Sequence, residues 1–114
     1  MLYGGILTNL SYVHETNFKA EVLNNTLPVL VDFTAAWCSP CKMIEPVVSQ
    51  IAQTWAEKVK VVKLDIDENA GLTSQYQVMG VPTLMLFVKG KPVERVTGYQ
   101  PLDRIEEKLK KHVE

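Results

Sequence analysis

The 114-residue sequence predicts one α/β domain, in which a mixed central sheet is flanked by helices on both faces. Residues 29–33 are apolar at every position except Asp32, which is typical of a strand covered on both faces. An amphipathic helix and a second apolar strand at 59–64 follow, which predicts a βαβ unit with parallel strands. Residues 83–88 and 92–97 flank a short turn that contains Gly90, which predicts an antiparallel hairpin.

The first quarter of the chain has only a weak hydrophobic pattern, so its secondary structure is less clearly predicted. Residues 1–10 contain Gly4-Gly5 and are predicted to form a loosely held arm. Tyr12-Val13 are predicted as a short edge strand. A first helix, capped by Thr16 or Asn17 and ended by Asn24-Asn25, follows from apolar residues at helical spacing. These residues are Phe18, Val22 and Leu23.

Three later helices complete the order βαβαβαββα. The longest begins at Pro40, carries Pro46 as a predicted kink, and has apolar residues at i, i+3, i+4, i+7 and i+11. These are Ile44, Val47, Val48, Ile51 and Trp55. A short helix is predicted at 72–76. The last helix has one apolar face, formed by Leu102, Ile105, Leu109 and Val113.

Composition excludes several classes of function. With 12 basic and 13 acidic residues, the net charge of -1 offers no nucleic-acid footprint. The longest apolar stretch, 81–88, cannot span a bilayer and contains Pro82 and Thr83. No Lys or Arg precedes Lys19, and the apolar runs before it are too short for a signal peptide. We therefore expect a protein of the reducing cytoplasm, or of an organelle interior if a transit peptide was removed. We also expect a monomer.

Both cysteines of the chain lie in one stretch, Trp37-Cys38-Ser39-Pro40-Cys41. Two residues separate them, so on a helical turn they share a face at a distance that a disulfide can span. As a structural cross-link, a disulfide that closes a four-residue loop would stabilise the fold by only about 2 kcal/mol. In a reducing compartment such a pair is catalytic or metal-binding before it is structural. A zinc site would need two more ligands, and His14 and His112 lack the spacing.

The start of the long helix indicates which thiol reacts. Ser39 is a good N-cap and Pro40 a good first helical residue, so Cys38 should sit at the positive end of the helix dipole. That position lowers the pKa of a thiol. We expect Cys38 to be the nucleophile and Cys41, one turn inside, to be the resolving thiol.

From about residue 13 to residue 113 the sequence resembles the thioredoxin family. The matching residues are Asp32-Phe33, Ala35, Trp37-Cys38, Pro40-Cys41-Lys42, Pro46, Lys63-Leu64, Asp67, Gly80, Val81-Pro82-Thr83, Phe87, Gly90 and Gly98. The resemblance implies a thioredoxin fold and a protein-disulfide reductase that carries electrons and serves cell redox homeostasis. It implies no cofactor beyond a redox-active Cys38–Cys41 disulfide. The implied partners are disulfide-containing target proteins and a thioredoxin reductase, either NADPH-dependent or ferredoxin-linked.

Two positions depart from the family pattern. Thioredoxins usually have Gly-Pro between the cysteines, and this chain has Ser39-Pro40. A hydroxyl near the Cys38 sulfur can donate to the thiolate and shift the reduction potential. The family commonly has an aromatic residue, usually Trp, where this chain has Thr34. A disulfide isomerase would usually have His in the place of Pro40.

Two charged residues of the predicted strands, Asp32 and Lys63, are candidates for a role in the chemistry. A lone carboxylate in an apolar strand costs several kcal/mol unless it is neutral or paired, or unless it reaches solvent at the sheet end, and the residues alone leave these readings of Asp32 open. The resemblance implies that Asp32 accepts the proton of Cys41, through water. Lys63, in the neighbouring strand, is its natural charge partner; the alternative for Lys63 is a solvated strand end.

A small apolar surface is implied around the dithiol. Val81-Pro82 could be an ordinary trans turn, since about 5 to 6% of X-Pro bonds are cis, but the resemblance implies a cis bond that faces the cysteines. The Val81 backbone would then pair with the substrate in a strand-like contact. Without the resemblance, the alternative for Trp37 is packing in the hydrophobic core. The expected substrate-binding residues are Trp37, Ser39, Pro40, Gly80, Val81, Pro82, Gly98 and Tyr99.

Other readings stay open. Asp65, Asp67 and Asn69 resemble the start of a calcium loop, but Ala70 and Tyr76 replace the required Gly and Glu, so we predict a helix-capping cluster and no metal site. A non-redox binding or assembly subunit could use the Trp37 and Pro82 surface. A disulfide oxidant or isomerase would have a higher reduction potential.

Overall fold

A four-stranded mixed sheet forms the centre of the structure, a computed structural model that describes residues 10–113. Its strands are β1 (Val29–Thr34), β2 (Lys60–Asp65), β3 (Thr83–Val88) and β4 (Lys91–Thr97). The α-helices are α1 (Ser39–Thr54), α2 (Ala70–Gln75) and α3 (Leu102–Lys110). The predicted arm at 1–10 lies outside the described residues except for Leu10, which packs against the core.

The strand order is β2-β1-β3-β4. β1 pairs in parallel with β2 and antiparallel with β3, which in turn pairs antiparallel with β4. The predicted βαβ unit and hairpin are therefore confirmed, and the mixed sheet has the architecture that the resemblance implied. In this register Asp32 lies opposite Lys63 on one side and Leu84 on the other.

The sheet is covered on both faces, because successive side chains of β1 point to opposite sides. Leu30 belongs to a cluster with buried residues of α1 and α3, such as Ile44 and Ile105. Val31 and Phe33 belong to a second cluster on the other face. All six residues of β1 are buried, which confirms the prediction of a central strand.

The first predicted strand and helix are only partly formed. Tyr12 makes one isolated parallel bridge to Lys63 and no strand. Instead of the predicted helix there is a π-helical turn, Lys19–Leu23, in which the Asn24 N–H donates to the Lys19 carbonyl five residues earlier at 2.9 Å. No side chain caps this turn. Asn17, one of the predicted caps, accepts instead from the His14 N–H at 2.7 Å.

The other elements follow the prediction with shifted bounds. α1 continues through Pro46, and the expected kink there stays a prediction. α2 begins two residues earlier than predicted. The β3–β4 turn has positive φ at Lys89 and at Gly90, where a Cβ would lie 3.0 Å from the Leu23 carbonyl oxygen. Glycine is therefore needed at that position. No helix within residues 10–113 is long and apolar enough to cross a membrane.

Candidate active site

The two cysteines lie where β1 leads into α1. Their Cα atoms are 5.3 Å apart and their sulfurs form a disulfide. This confirms the prediction that the two cysteines lie within the span of a disulfide. The predicted helix cap is wrong by one residue: Cys38, with extended backbone, is the N-cap, and Ser39 is the first helical residue. Pro40 has no N–H to donate. The N-cap side chain instead accepts a hydrogen bond from the next residue, because the Cys41 N–H donates to the Cys38 sulfur at 3.1 Å.

This hydrogen bond distinguishes the two sulfurs. It brings an unpaired amide of the helix start to Cys38, at the positive end of the α1 dipole. Such a donor stabilises negative charge, and so favours a thiolate at Cys38 once the disulfide is reduced. Both cysteines are nearly covered, with 3% of Cys38 and 1% of Cys41 exposed. The two cysteines pack with Ala35, and Ile66 and Val81 lie against this cluster.

The Val81–Pro82 peptide bond is cis, as the resemblance implied. Two hydrogen bonds hold this loop: the Gly98 N–H donates to the Pro82 carbonyl at 2.7 Å, and the Thr83 hydroxyl donates to the Gly80 carbonyl at 2.6 Å. Val81 itself packs against the cysteine cluster. The loop is thereby fixed beside the disulfide, against which Val81 packs.

An exposed indole lies beside the cysteines. Trp37 is 67% exposed, so it is not a core residue. Its Nε1 donates to Asp67 Oδ2 at 2.8 Å, a contact that joins residues 30 apart in the chain. The bond orients the indole in spite of its exposure. Sequence reasoning placed Asp67 in a capping cluster and missed this role; its place among the family-matching residues was the available signal.

The other expected substrate-binding residues differ in exposure. Pro82 is buried and Val81 is half-buried. Ser39, Pro40 and Gly80 are exposed. Gly98, with φ of 84°, is half-buried, and Tyr99 is 42% exposed. The contact of each with a substrate stays a prediction.

Asp32 is a buried carboxyl in the strand that leads to the disulfide. It is 1% exposed, and its Oδ1 has no hydrogen-bond partner. Burial raises the pKa of this carboxyl from its ordinary value of 3.8 to about 7; the positive charge of Lys63 opposes the rise and the negative charge of Glu45 adds to it. Of the readings of the sequence, the solvent-reaching carboxylate is therefore wrong. An acid with a pKa near neutral can both take up and release a proton at physiological pH.

Lys63 lies opposite Asp32, but its ion pair is with another residue. Its Nζ is 3.0 Å from Glu45 Oε2 on α1 and 4.9 Å from the centroid of the Tyr12 ring. Burial lowers the pKa of Lys63, and the hydrogen bonds with Glu45 and Tyr12 outweigh that effect, so the pKa is raised. Sequence reasoning considered the neighbouring strand alone and missed Glu45, which reaches Lys63 from a helix.

Replacing Asp32 should change how stability depends on pH. The native state holds a proton up to about pH 7, whereas the unfolded chain releases it near pH 3.9. The pH-dependent cost of burying this carboxyl is therefore absent below pH 4, and it grows as the pH rises to 7. Each tenfold change in the acid constant is worth about 1.4 kcal/mol, so we expect Asp32→Asn to gain about 4 kcal/mol relative to wild type between pH 4 and pH 8.

Urea unfolding of both proteins across this range measures the difference. Asp103→Asn, on the exposed first turn of α3, is the matched control and should follow wild type. A difference between wild type and Asp32→Asn that stays constant from pH 4 to pH 8 would show that Asp32 is ionised throughout.

The side chains of the acidic cluster after β2 form hydrogen bonds with nearby residues of the same chain. Asp65 Oδ1 accepts from the Asp67 N–H at 2.8 Å, and Asn69 Nδ2 donates to the Asp65 carbonyl at 2.9 Å. Asn69 is the N-cap residue of α2, although its side chain accepts from the Glu15 N–H instead of from the helix. In the part of the chain that the structure describes, no three His, Cys, Asp or Glu side chains are grouped to hold a metal ion.

The sequence is similar to known proteins over most of its length. The family model described as Thioredoxin matches residues 9–111. "Thioredoxin 1" of Synechococcus elongatus is 48% identical over 101 residues, which cover 89% of this chain and 94% of that protein. "Thioredoxin" of Porphyra purpurea is 44% identical over 105 residues, covering 92% and 98%. "Thioredoxin" of Staphylococcus aureus is 48% identical over 101 residues, covering 89% and 95%.

Proposed function

This chain belongs to the thioredoxin family, and we propose that it is a general protein-disulfide reductase in which Cys38 attacks and Cys41 resolves. The observation that carries the assignment of roles is the Cys38 sulfur at the start of α1, where it accepts the Cys41 N–H. The family itself accounts for thiol–disulfide exchange, and the geometry supports the division of work between the two thiols.

The proposed reaction has two exchange steps. The Cys38 thiolate attacks one sulfur of a target disulfide, forms a mixed disulfide and releases the other sulfur as a thiolate. Cys41 then gives its proton to the Asp32 carboxylate and attacks the Cys38 sulfur. The bond between Cys38 and the target breaks, the target leaves with two thiols after protonation, and the Cys38–Cys41 disulfide remains. Two electrons pass from this chain to the target.

The second step is intramolecular. The Cys38 and Cys41 Cα atoms are 5.3 Å apart, so Cys41 needs no diffusion to reach the mixed disulfide. Such proximity gives large effective concentrations, and the mixed disulfide should therefore be short-lived. The surface formed by Trp37 and the cis loop at Val81–Pro82 is the proposed landing site, where the Val81 backbone pairs with an extended target segment.

The disulfide must be reduced again for turnover. We propose a thioredoxin reductase, NADPH-dependent or ferredoxin-linked, as the electron donor, and disulfide-containing proteins as the targets. A reducing compartment, the cytoplasm or an organelle interior, suits this cycle because protein thiols are kept reduced there. The redox group is the Cys38–Cys41 pair itself, and we propose that the chain acts as a monomer.

Reduction of insulin disulfides with dithiothreitol as electron source tests the function. We expect the wild type to accelerate the reaction strongly over dithiothreitol alone and the Cys38→Ser/Cys41→Ser double variant to add nothing. A folded wild type that does not accelerate the reaction would favour a binding or assembly subunit that uses the same surface without redox turnover.

Ser39 should tune the potential. It is exposed and follows Cys38 directly, so its hydroxyl can donate to the Cys38 thiolate. Such a donor stabilises the reduced form, and about 1.4 kcal/mol corresponds to 30 mV for a two-electron couple. We expect Ser39→Ala to make the potential more negative by about 10 to 30 mV. Ser39→Thr keeps the hydroxyl and should stay near wild type in the same glutathione titration; equal shifts in both variants would exclude the hydroxyl as the cause.

A further inference from the structure

The Lys63 ammonium is held by residues outside its own sheet. Glu45, from α1, accepts from it at 3.0 Å, and the Tyr12 ring lies 4.9 Å away. The Lys63 side chain is 14% exposed and the Glu45 side chain 47% exposed, so the pair is partly shielded from water. Tyr12 is itself fixed to β2, because the Lys63 N–H donates to the Ser11 carbonyl at 2.9 Å and the Val13 N–H to the Lys63 carbonyl at 2.8 Å.

Asp32 lacks the partner that the register offers it. Lys63 is its direct neighbour in β2, and Leu84 is its apolar neighbour in β3. Paired residues of adjacent strands point to the same side of a sheet, yet the ion pair of Lys63 is with Glu45 and the Asp32 Oδ1 accepts no hydrogen bond. The charged groups that act on Asp32 are Lys63 from β2 and Glu45 from α1. Tyr12 in turn interacts with Lys63. The Cys38–Cys41 disulfide at the start of α1 has no thiol proton to titrate.

We propose that Glu45 is a positioning residue for the resolving step: by binding the Lys63 ammonium, it keeps that cation from pairing with Asp32 and leaves the buried carboxyl free to take a proton from Cys41. This inference rests on the role proposed above for Asp32. A carboxylate paired with lysine stays ionised and is a weak base, whereas an unpaired buried carboxyl is a stronger one. Glu45 therefore acts through Lys63 and touches neither substrate nor sulfur.

Glu45→Gln tests the inference, since it keeps the shape of the side chain and removes its charge. The released ammonium should turn to Asp32, and an opposite charge at ion-pair distance lowers the pKa of an Asp by about 1 unit or more. In the disulfide form, the midpoint of the Asp32 carboxyl, followed by carbon-13 NMR, should fall by about that much, a tenfold change in its acid constant. The pH profile of mixed-disulfide resolution should move to lower pH by the same amount.

Glu21→Gln is the matched control. Glu21 pairs with Lys60, also on β2, at 2.5 Å, and its side chain is 45% exposed, close to the value for Glu45. The variant changes the net charge equally and should leave the Asp32 midpoint unchanged. An equal shift in both variants would mean that overall charge is the cause, and would overturn the inference.

A double-mutant cycle separates the two ways in which Glu45 could act. In a Lys63→Met background, Glu45→Gln should move the Asp32 midpoint much less than in wild type. Equal shifts in both backgrounds would show that Glu45 acts by its own charge, and an unmoved midpoint in Glu45→Gln would show that it does not act on Asp32; each overturns the positioning role. The titration is made on the disulfide form and needs no turnover. It therefore tests the positioning role of Glu45 independently of the insulin assay, which tests the proposed function.

Discussion

Cys38→Ser is expected to lower insulin reduction by at least about a thousandfold, because a serine hydroxyl cannot open a target disulfide. In the structure Cys38 is the N-cap of α1 and its sulfur accepts the Cys41 N–H, so the substitution removes the one sulfur that the helix start stabilises as a thiolate. The hydroxyl can accept the same amide, since serine is a good N-cap. The fold should therefore survive while the chemistry is lost.

Turnover is measured with the dithiothreitol background subtracted. Asp103→Asn, on the exposed first turn of α3, is the control that should keep the activity. Thermal unfolding of the reduced proteins checks that Cys38→Ser is folded. Activity near that of wild type in folded Cys38→Ser would mean that Cys41 is the attacking thiol and that the roles are reversed.

Cys41→Ser is expected to trap a target on Cys38 as a stable mixed disulfide. The first step needs the Cys38 thiolate alone, whereas release of the target needs the second thiol, and no other cysteine is present in the chain to replace it. The Cys41 amide, which the substitution keeps, still donates to the Cys38 sulfur. The adduct should accumulate to nearly one target per chain and persist until an external thiol is added.

Mass spectrometry under non-reducing conditions measures this adduct at the summed mass of the reduced variant and the target with its disulfide intact, because disulfide exchange loses no atoms. The wild type, incubated with the same target, should show little adduct, and the Cys38→Ser/Cys41→Ser double variant should show none. Accumulation in Cys38→Ser and none in Cys41→Ser would contradict the assignment.

Most of the sheet could be predicted because its signals are local. β1 and β3 are nearly continuous apolar runs, and Gly90 between β3 and β4 marks a turn that no other residue type would fit without strain. The first elements could not be predicted in the same way. Phe18 and Val22 are buried at helical spacing, but the segment spans too few residues for the pattern to distinguish a helix from a single π-helical turn.

The dithiol could be predicted from spacing, and the details around it could not. Which residue caps α1 depends on the backbone of the connection, which puts Cys38 where the sequence favoured Ser39. The cis bond before Pro82 came from the family resemblance and not from local preference. The contacts that orient Trp37 and Lys63 come from Asp67 and Glu45, which are distant in the chain and reach them only in the folded structure.

The reduction potential of the Cys38–Cys41 pair tests most directly whether this chain is a reductant. It is measured by equilibrating the protein with dithiothreitol or glutathione buffers of known ratio and counting free thiols. We expect a single two-electron transition close to the reference value of about -270 mV for thioredoxin. A midpoint of about -180 mV or higher, in the range of disulfide isomerases and oxidants, would contradict it.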